Sequence, residues 1–377
     1  MSHLDPPYVL FADDMTGRER LFSHPVGIIR ADSLDDVIPA LDRIEEAHHS
    51  GYWCAGYLSY EAGYALEPRL VGDMPAERQV PLVHMGIFER PTDWHDMPAN
   101  DSTASLTDFR PTWSYDDYAP KFDQVHRHIR QGDCYQANLT FPIRARWQGD
   151  PLTIFRSLAV RQPVRYGALV KLGGPVVLSR SPELFFSVDR EGWIETHPMK
   201  GTIGRGRTTE EDAKKISELR EDEKSQAENL MIVDLLRNDI SRISELGTLH
   251  VPDLFSIETY PTVHQLVSRV RAKLRKDITF PQIMTALFPC GSITGAPKIR
   301  AMQILRRLET VPRGVYCGSI GYVSPTGEMS FNVAIRTMSL FDGGHAVLNV
   351  GGGLVFDSTA HAEYQECLLK ARFATGS

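Results

Sequence analysis

Residues 328–356 read EMSFNVAIRTMSLFDGGHAVLNVGGGLVF. Two β-prone runs, 328–341 and 345–356, flank Asp342-Gly343-Gly344. An Asp-Gly between such runs is a hairpin signal, and strands joined so tightly run antiparallel. Similar strand-like runs occupy 135–143, 175–188, 192–198 and 315–324. Between them the apolar period lengthens to that of a helix. Tyr118, Phe122, Val125 and Ile129 fall on one helical face, and Gly132 ends that segment. Helices are also predicted over 152–161, 208–220, 224–240, 279–288, 297–309 and 360–374. Hairpin-paired strands with interspersed helices predict an α/β fold of the α+β type, with mostly antiparallel sheets and helices outside, rather than a Rossmann sheet.

The 377 residues carry 41 Lys and Arg against 48 Asp and Glu, a net charge of −7. That balance argues against a nucleic-acid partner, which would want a basic face. No apolar run approaches the roughly 18 residues of a membrane span. The polar start, MSHLDPPYVLFADD, lacks the pattern of a secretory signal. The five cysteines are scattered and form no C-x-x-C pair, which predicts reduced, cytoplasmic usage without a zinc site. Residues 91–114 are polar and without apolar period, and predict a loop between an N-terminal part of the fold, 1–110, and a main body, 111–377.

Several segments of the body could carry chemistry. On the predicted C-terminal helix, Glu363, Glu366 and Lys370 share a face. They are either a solvated face with one i,i+4 ion pair or half of a site for a hard cation such as Mg²⁺. Glu228 lies on one face with Ile232 and Leu235 in AENLMIVDLLRND, where a buried carboxylate needs a cation or a proton. Lys200 precedes Gly201 and Thr202 in HPMKGTIGRGR, and is a surface lysine, an anion clamp or a nucleophile. The Gly204 and Gly206 pair is too short for a dinucleotide fingerprint. GSITGAPK at 291–298 feeds a helix N-terminus without Walker spacing. Gly351, Gly352 and Gly353 form either an anion-binding nest or a bulge. Arg336 sits among apolar residues and needs an anion, from the protein or from a ligand.

These blocks together resemble the chorismate-utilising enzymes. The resemblance spans residues 110–377 and rests on SPELF at 181–185, PMKGT at 198–202, AENLMIVDLLRND at 227–239, GSITGAPK at 291–298, GYVSP at 321–325, FNVAIRT at 331–337, GGG at 351–353 and AEYQE at 362–366. It implies two face-to-face sheets with helices outside, the chorismate-utilising enzyme fold, and a Mg²⁺-chorismate site in the 111–377 body. Metal ligation is implied for Glu228, Glu363 and Glu366. Lys200 is implied as nucleophile and Glu183 as general acid. Substrate contacts are implied for Gln136, Gly201, Thr202, Ser292, Tyr322, Arg336, Gly351, Gly352, Gly353 and Lys370.

Within the family, members that add water at chorismate have a lysine where this chain has Gln136. Anthranilate synthases usually have alanine at the position of Lys200 and a histidine at that of Gln265; here the histidine is one place earlier, at His264. The lysine, together with GYLSYEAGYALEP at 56–68, resembles the branch that converts chorismate and ammonia to 4-amino-4-deoxychorismate, the first step towards 4-aminobenzoate and folate. Anthranilate formation is the alternative. No cysteine stands in a G-x-C-x-G elbow, so ammonia is expected from a separate glutamine amidotransferase subunit.

Overall fold

The computed structural model describes residues 4–94, 103–260 and 263–376. The N-terminal stretch contributes β1 (Tyr8–Asp13), β2 (Arg18–Ser23), β3 (Gly27–Ala31), α1 (Val37–His49), β4 (Trp53–Leu58), α2 (Ala62–Leu66), β5 (Val83–Phe88) and β6 (Thr92–Asp93). Next come β7 (Ser105–Pro111), α3 (Tyr115–Arg130), β8 (Gln136–Gln148), α4 (Pro151–Arg161), β9 (Tyr166–Lys171), β10 (Val176–Ser181), β11 (Leu184–Val188), β12 (Trp193–Thr196) and β13 (Met199–Gly204). The chain continues through α5 (Thr209–Glu221), α6 (Glu223–Ser241), β14 (His250–Thr259), β15 (Val263–Lys273) and α7 (Phe280–Leu287). It closes with β16 (Gly295–Ala296), α8 (Lys298–Leu308), β17 (Ser319–Val323), β18 (Met329–Val333), β19 (Thr337–Phe341), β20 (His345–Leu354) and α9 (Ala360–Thr375).

Two ten-stranded sheets result. One runs β16-β8-β20-β19-β10-β9-β1-β2-β6, with β7 beside β8; the other runs β13-β15-β12-β11-β18-β17-β4-β5-β3, with β14 beside β15. All of these pairings are antiparallel. Strands from both sides of residue 110 lie in each sheet.

Strand alternation sorts the apolar residues into three cores. In β10, Val176 and Leu178 face a core shared with α3, α4, α8 and α9, while Val177 turns to the opposite side. In β4, Cys54 and Leu58 face a core shared with α1 and α7, while Ala55 and Tyr57 turn to the opposite side. The third core holds Val9, Ala55, Tyr57, Val170, Val177 and Ile320, from strands of both sheets, and so lies between them.

Two expected strands break in the middle. The run 175–188 is β10 in the first sheet and β11 in the second, parted at Pro182-Glu183. The run 328–341 is β18 in the second sheet and β19 in the first, parted at Ala334–Arg336. The two crossings lie side by side. Val333 N–H donates to Glu183 O at 3.0 Å, and Arg180 N–H donates to Arg336 O at 3.0 Å. Arg336 turns the chain there with φ +50°. The expected loop over 91–114 is also corrected: β7 pairs with β8, and only residues 95–102 of that stretch lie outside the described residues.

Candidate active site

The two crossings bring the site together. Glu183 is buried, and its Oε1 accepts from Ser292 Oγ at 2.8 Å. Burial pushes its carboxyl up to about 7, against the pull of the Ser292 hydroxyl and the Lys200, Arg336 and Lys370 charges. Arg336 is largely buried and feels the charge of Glu183, yet its guanidinium makes no hydrogen bond or ion pair among the described residues. A buried guanidinium left so calls for an anionic ligand.

Strand β13 carries Lys200 to the same place, with its amine 3.9 Å from Glu228 Oε2. Burial lowers the pKa of the amine; Glu228 opposes that shift and Lys370 adds to it. The neighbouring Gly201 has φ +84°, and a Cβ there would come within 2.7 Å of Ser225 Oγ, so glycine lets β13 lie against α6. Thr202 is exposed on β13, opposite Gln265. Gln136 begins β8; its Nε2 reaches Ser292 O at 3.5 Å, and its buried Oε1 has no partner.

The glycines of β20 form neither a bulge nor a turn. They pair in register with β8, Gly351 with Thr140, Gly352 with Leu139 and Gly353 with Asn138. Pairing with β19 has already ended at Leu348, so the other edge of β20 is free of β19 here. What they provide is room. A Cβ on Gly353 would lie 3.1 Å from Gln136 Nε2 and 3.3 Å from Lys200 Nζ, and one on Gly352 would lie 2.6 Å from Glu363 Oε2.

On α9, Glu363 accepts from Ser358 Oγ at 2.6 Å. Lys370 bridges Glu366 at 2.8 Å and donates to Gly351 O at 3.0 Å. Burial raises the pKa of Glu363, as do the charges of Glu366 and Glu228, while the Ser358 hydroxyl lowers it. Glu366 is also buried in part, but Lys370 holds it below its usual value. Three mutually repelling carboxylates of hard oxygen character fit a divalent cation such as Mg²⁺. As a set, their oxygens do not lie within 4.8 Å of one another.

Tyr322 does not join this group. It packs against Phe11, Phe22 and Trp53 with the Arg20 guanidinium 5.0 Å above its ring. There it lines a separate cavity of about 580 Å³ between the sheets, with Arg18, Arg165 and Asn332. The substrate contact expected for Tyr322 is thereby corrected: its strand is right, but its side chain faces the inter-sheet space. His264 is a packed residue, bonded by Nδ1 to Thr259 Oγ1 at 2.9 Å and by Nε2 to Asp212 at 2.9 Å. Asp239, near the end of α6, pairs with Lys298 at 2.8 Å.

Sequence reasoning missed Arg313. This buried residue binds Glu309 through Nε and Nη2 at 2.8 and 2.7 Å, and donates to Ile293 O at 3.1 Å and Asn138 O at 2.7 Å. It thus ties the loop of Ser292 to β8 just beyond Gln136. The signal was a charged pair four residues apart, Glu309 and Arg313, in an apolar stretch.

The family model described as chorismate binding enzyme matches residues 6–376. The chain belongs to the chorismate binding enzyme family. Its fold is similar to that of anthranilate synthase component I from Streptococcus pneumoniae, with a TM-score of 0.80 and 28% identity, over 99% of this chain and 93% of that one. The chain is 44% identical over 266 residues to aminodeoxychorismate synthase component 1 of Klebsiella aerogenes, covering 70% of this chain and 58% of the relative. It is 41% identical over 258 residues to anthranilate synthase component 1 of Acetivibrio thermocellus, covering 68% and 52%. The chain therefore spans between half and three fifths of the length of these two chorismate binding enzymes. No helix among the described residues is long and apolar enough to cross a membrane.

Proposed function

We propose that this chain converts chorismate and ammonia to 4-amino-4-deoxychorismate, with Lys200 as a covalent nucleophile. The observation that carries the proposal is the position of the Lys200 amine. It is largely buried, lies 3.9 Å from Glu228, approaches Gly353 and has a lowered pKa. An exposed lysine near pKa 10.4 would be almost wholly protonated at neutral pH and unable to attack.

Chorismate brings two carboxylates into a site that holds one unpaired guanidinium, Arg336. Arg336 and Lys370 face one of them, and the free edge of β20 at 351–353 adds backbone N–H groups. Glu228, Glu363 and Glu366 would hold Mg²⁺, which supplies charge neutralisation for the ring carboxylate when bound. Ser292 orients Glu183, whose pKa of about 7 keeps it partly protonated at neutral pH. Neutral Lys200 Nζ adds at ring C2 as the double bond shifts and the C4 hydroxyl takes the Glu183 proton and leaves as water. Ammonia then adds at C4 and expels Lys200, and the surplus ammonia proton returns to Glu183. Ammonia comes from a partner glutamine amidotransferase, or from ammonium in vitro.

The anthranilate alternative has ammonia adding directly at C2. Two features favour the first reading: Lys200 occupies the space beside Gly353, and His264 is fully engaged by Thr259 and Asp212. Incubation with chorismate, Mg²⁺ and ammonium, followed by a lyase that removes pyruvate from 4-amino-4-deoxychorismate, distinguishes them. The proposal expects 4-aminobenzoate; 2-aminobenzoate as the main product refutes it.

A further inference from the structure

A second cluster of ligating side chains lies on the opposite sheet's helix layer. Among the described residues, Glu45, His48 and His49 are the group whose ligand atoms all come within 4.8 Å of one another. They occupy the last turn of α1, which packs against α7 in the outer core of the second sheet. The i, i+3, i+4 spacing puts all three on one face.

The geometry of His48 separates this group from an ordinary surface ion pair. Its side chain is only 9% exposed, and its polar partner is Glu45, whose carboxyl it helps to hold below the usual value against burial. Its Nδ1 is buried without a partner, and its Nε2 stands 3.6 Å from Glu45 Oε2, beyond hydrogen-bond range. His49 Nε2 lies 2.9 Å from Glu45 Oε1. Tetrahedral Zn²⁺ with arms of about 2.0–2.1 Å sets its ligand atoms roughly 3.3 Å apart. The two separations, 2.9 Å from His49 to Glu45 Oε1 and 3.6 Å from His48 to Glu45 Oε2, lie either side of that spacing on the two oxygens of one carboxylate, and all three ligand atoms lie within 4.8 Å of one another. The carboxylate is also held from behind, because Glu45 Oε2 accepts the Phe280 N–H of α7 at 2.8 Å. Such support fixes a ligand's direction. His49 is 68% exposed, which leaves a path from solvent and room for water as fourth ligand.

We propose that Glu45, His48 and His49 form a site for a late first-row divalent cation, Zn²⁺ foremost, at the C-terminal end of α1 beside the start of α7. Two imidazoles and one carboxylate suit Zn²⁺ and its neighbours in the Irving–Williams order. Mg²⁺ prefers oxygen throughout, so the all-carboxylate set at Glu228, Glu363 and Glu366 is a different kind of site.

The test uses the full chain, stripped with a chelator and titrated with Zn²⁺ by calorimetry, with Co²⁺ absorption as a second readout. The proposal expects one equivalent bound with a Kd at or below about 10 µM and a tetrahedral Co²⁺ spectrum. His49→Ala and His48→Gln should each weaken this equivalent at least about tenfold, the lower end for a lost ligand or its support. Because His49 is exposed, His49→Ala leaves folding intact and keeps the test interpretable. Glu363→Gln should leave the equivalent unchanged. Retention of full affinity in both histidine variants, loss in Glu363→Gln, or absence of wild-type binding below about 100 µM overturns the proposal.

Discussion

The Lys200 amine and the Glu228 carboxylate stand 3.9 Å apart, one on β13 and one on α6. This is too long for a hydrogen bond and close enough for each charge to hold the other. The pair joins the two halves of the proposed chemistry: a nucleophile that must shed its proton and a carboxylate that must accept a cation. A cation on Glu228 weakens its hold on the ammonium and pushes the Lys200 pKa further down.

Glu228→Gln and Glu363→Gln should therefore abolish Mg²⁺-dependent turnover, by about 100-fold or more, while the circular dichroism spectrum is unchanged. Both side chains are partly exposed, so the fold does not depend on them. Near-normal rates in both variants at ordinary Mg²⁺ would remove these residues from the metal site.

In the proposed mechanism Glu183 sets a pH limb. As a general acid it works protonated, and its carboxyl sits at about 7 against 4.5 for an ordinary glutamate. The proton is lost as pH rises through 7, so the rate should fall on the alkaline side of neutrality. Lys200 imposes the opposite limb, because its lowered amine is protonated, and lost as a nucleophile, as pH falls. Glu183→Gln should lower kcat by about 10²–10⁴-fold and remove the alkaline limb. A limb that persists in the variant belongs to another group.

Gly352→Ala places a methyl 2.6 Å from Glu363 Oε2. The carboxylate is the end of a flexible chain and moves aside, so the protein folds but presents a displaced ligand. The Mg²⁺ concentration for half-maximal rate should rise about tenfold or more, with the unfolding midpoint shifted little. Unchanged Mg²⁺ dependence would show that Glu363 does not serve the ion.

Arg313→Met removes the cation that Glu309 faces in the core, at 2.7 and 2.8 Å. Stranding one partner of a buried pair costs about 3–5 kcal/mol, readable in denaturant unfolding. The carbonyls of Ile293 and Asn138 lose their donor as well, so activity should fall in whatever fraction stays folded.

The helices were legible because each buries one face, and α3 shows the expected period and the stop at Gly132. The sheet crossings were not. Every residue of β10 is buried, including the polar Ser179, Arg180 and Ser181, and neither Pro182-Glu183 nor Ala334–Arg336 carries the Gly, Asn or Asp of an exposed turn. The charges Glu183 and Arg336 were the trace of those crossings, and they were read as chemistry rather than as topology. The positions of Lys200, Glu363 and the β20 glycines could be listed from motifs, but motifs do not give side-chain direction. Tyr322 is the cost of that gap: one residue's rotation along β17 separates the inter-sheet aromatic cluster from the helix-facing core. Arg313 lacked both a period and a motif.

The covalent step is the central claim, and mass spectrometry of the peptide containing Lys200 addresses it most directly. Wild-type protein is held with chorismate and Mg²⁺ without ammonia, quenched and digested. The account predicts that Lys200 gains the mass of chorismate less one water, and that the adduct disappears when ammonium is added. An unmodified Lys200 peptide throughout, from protein that turns chorismate over once ammonium is supplied, would contradict it.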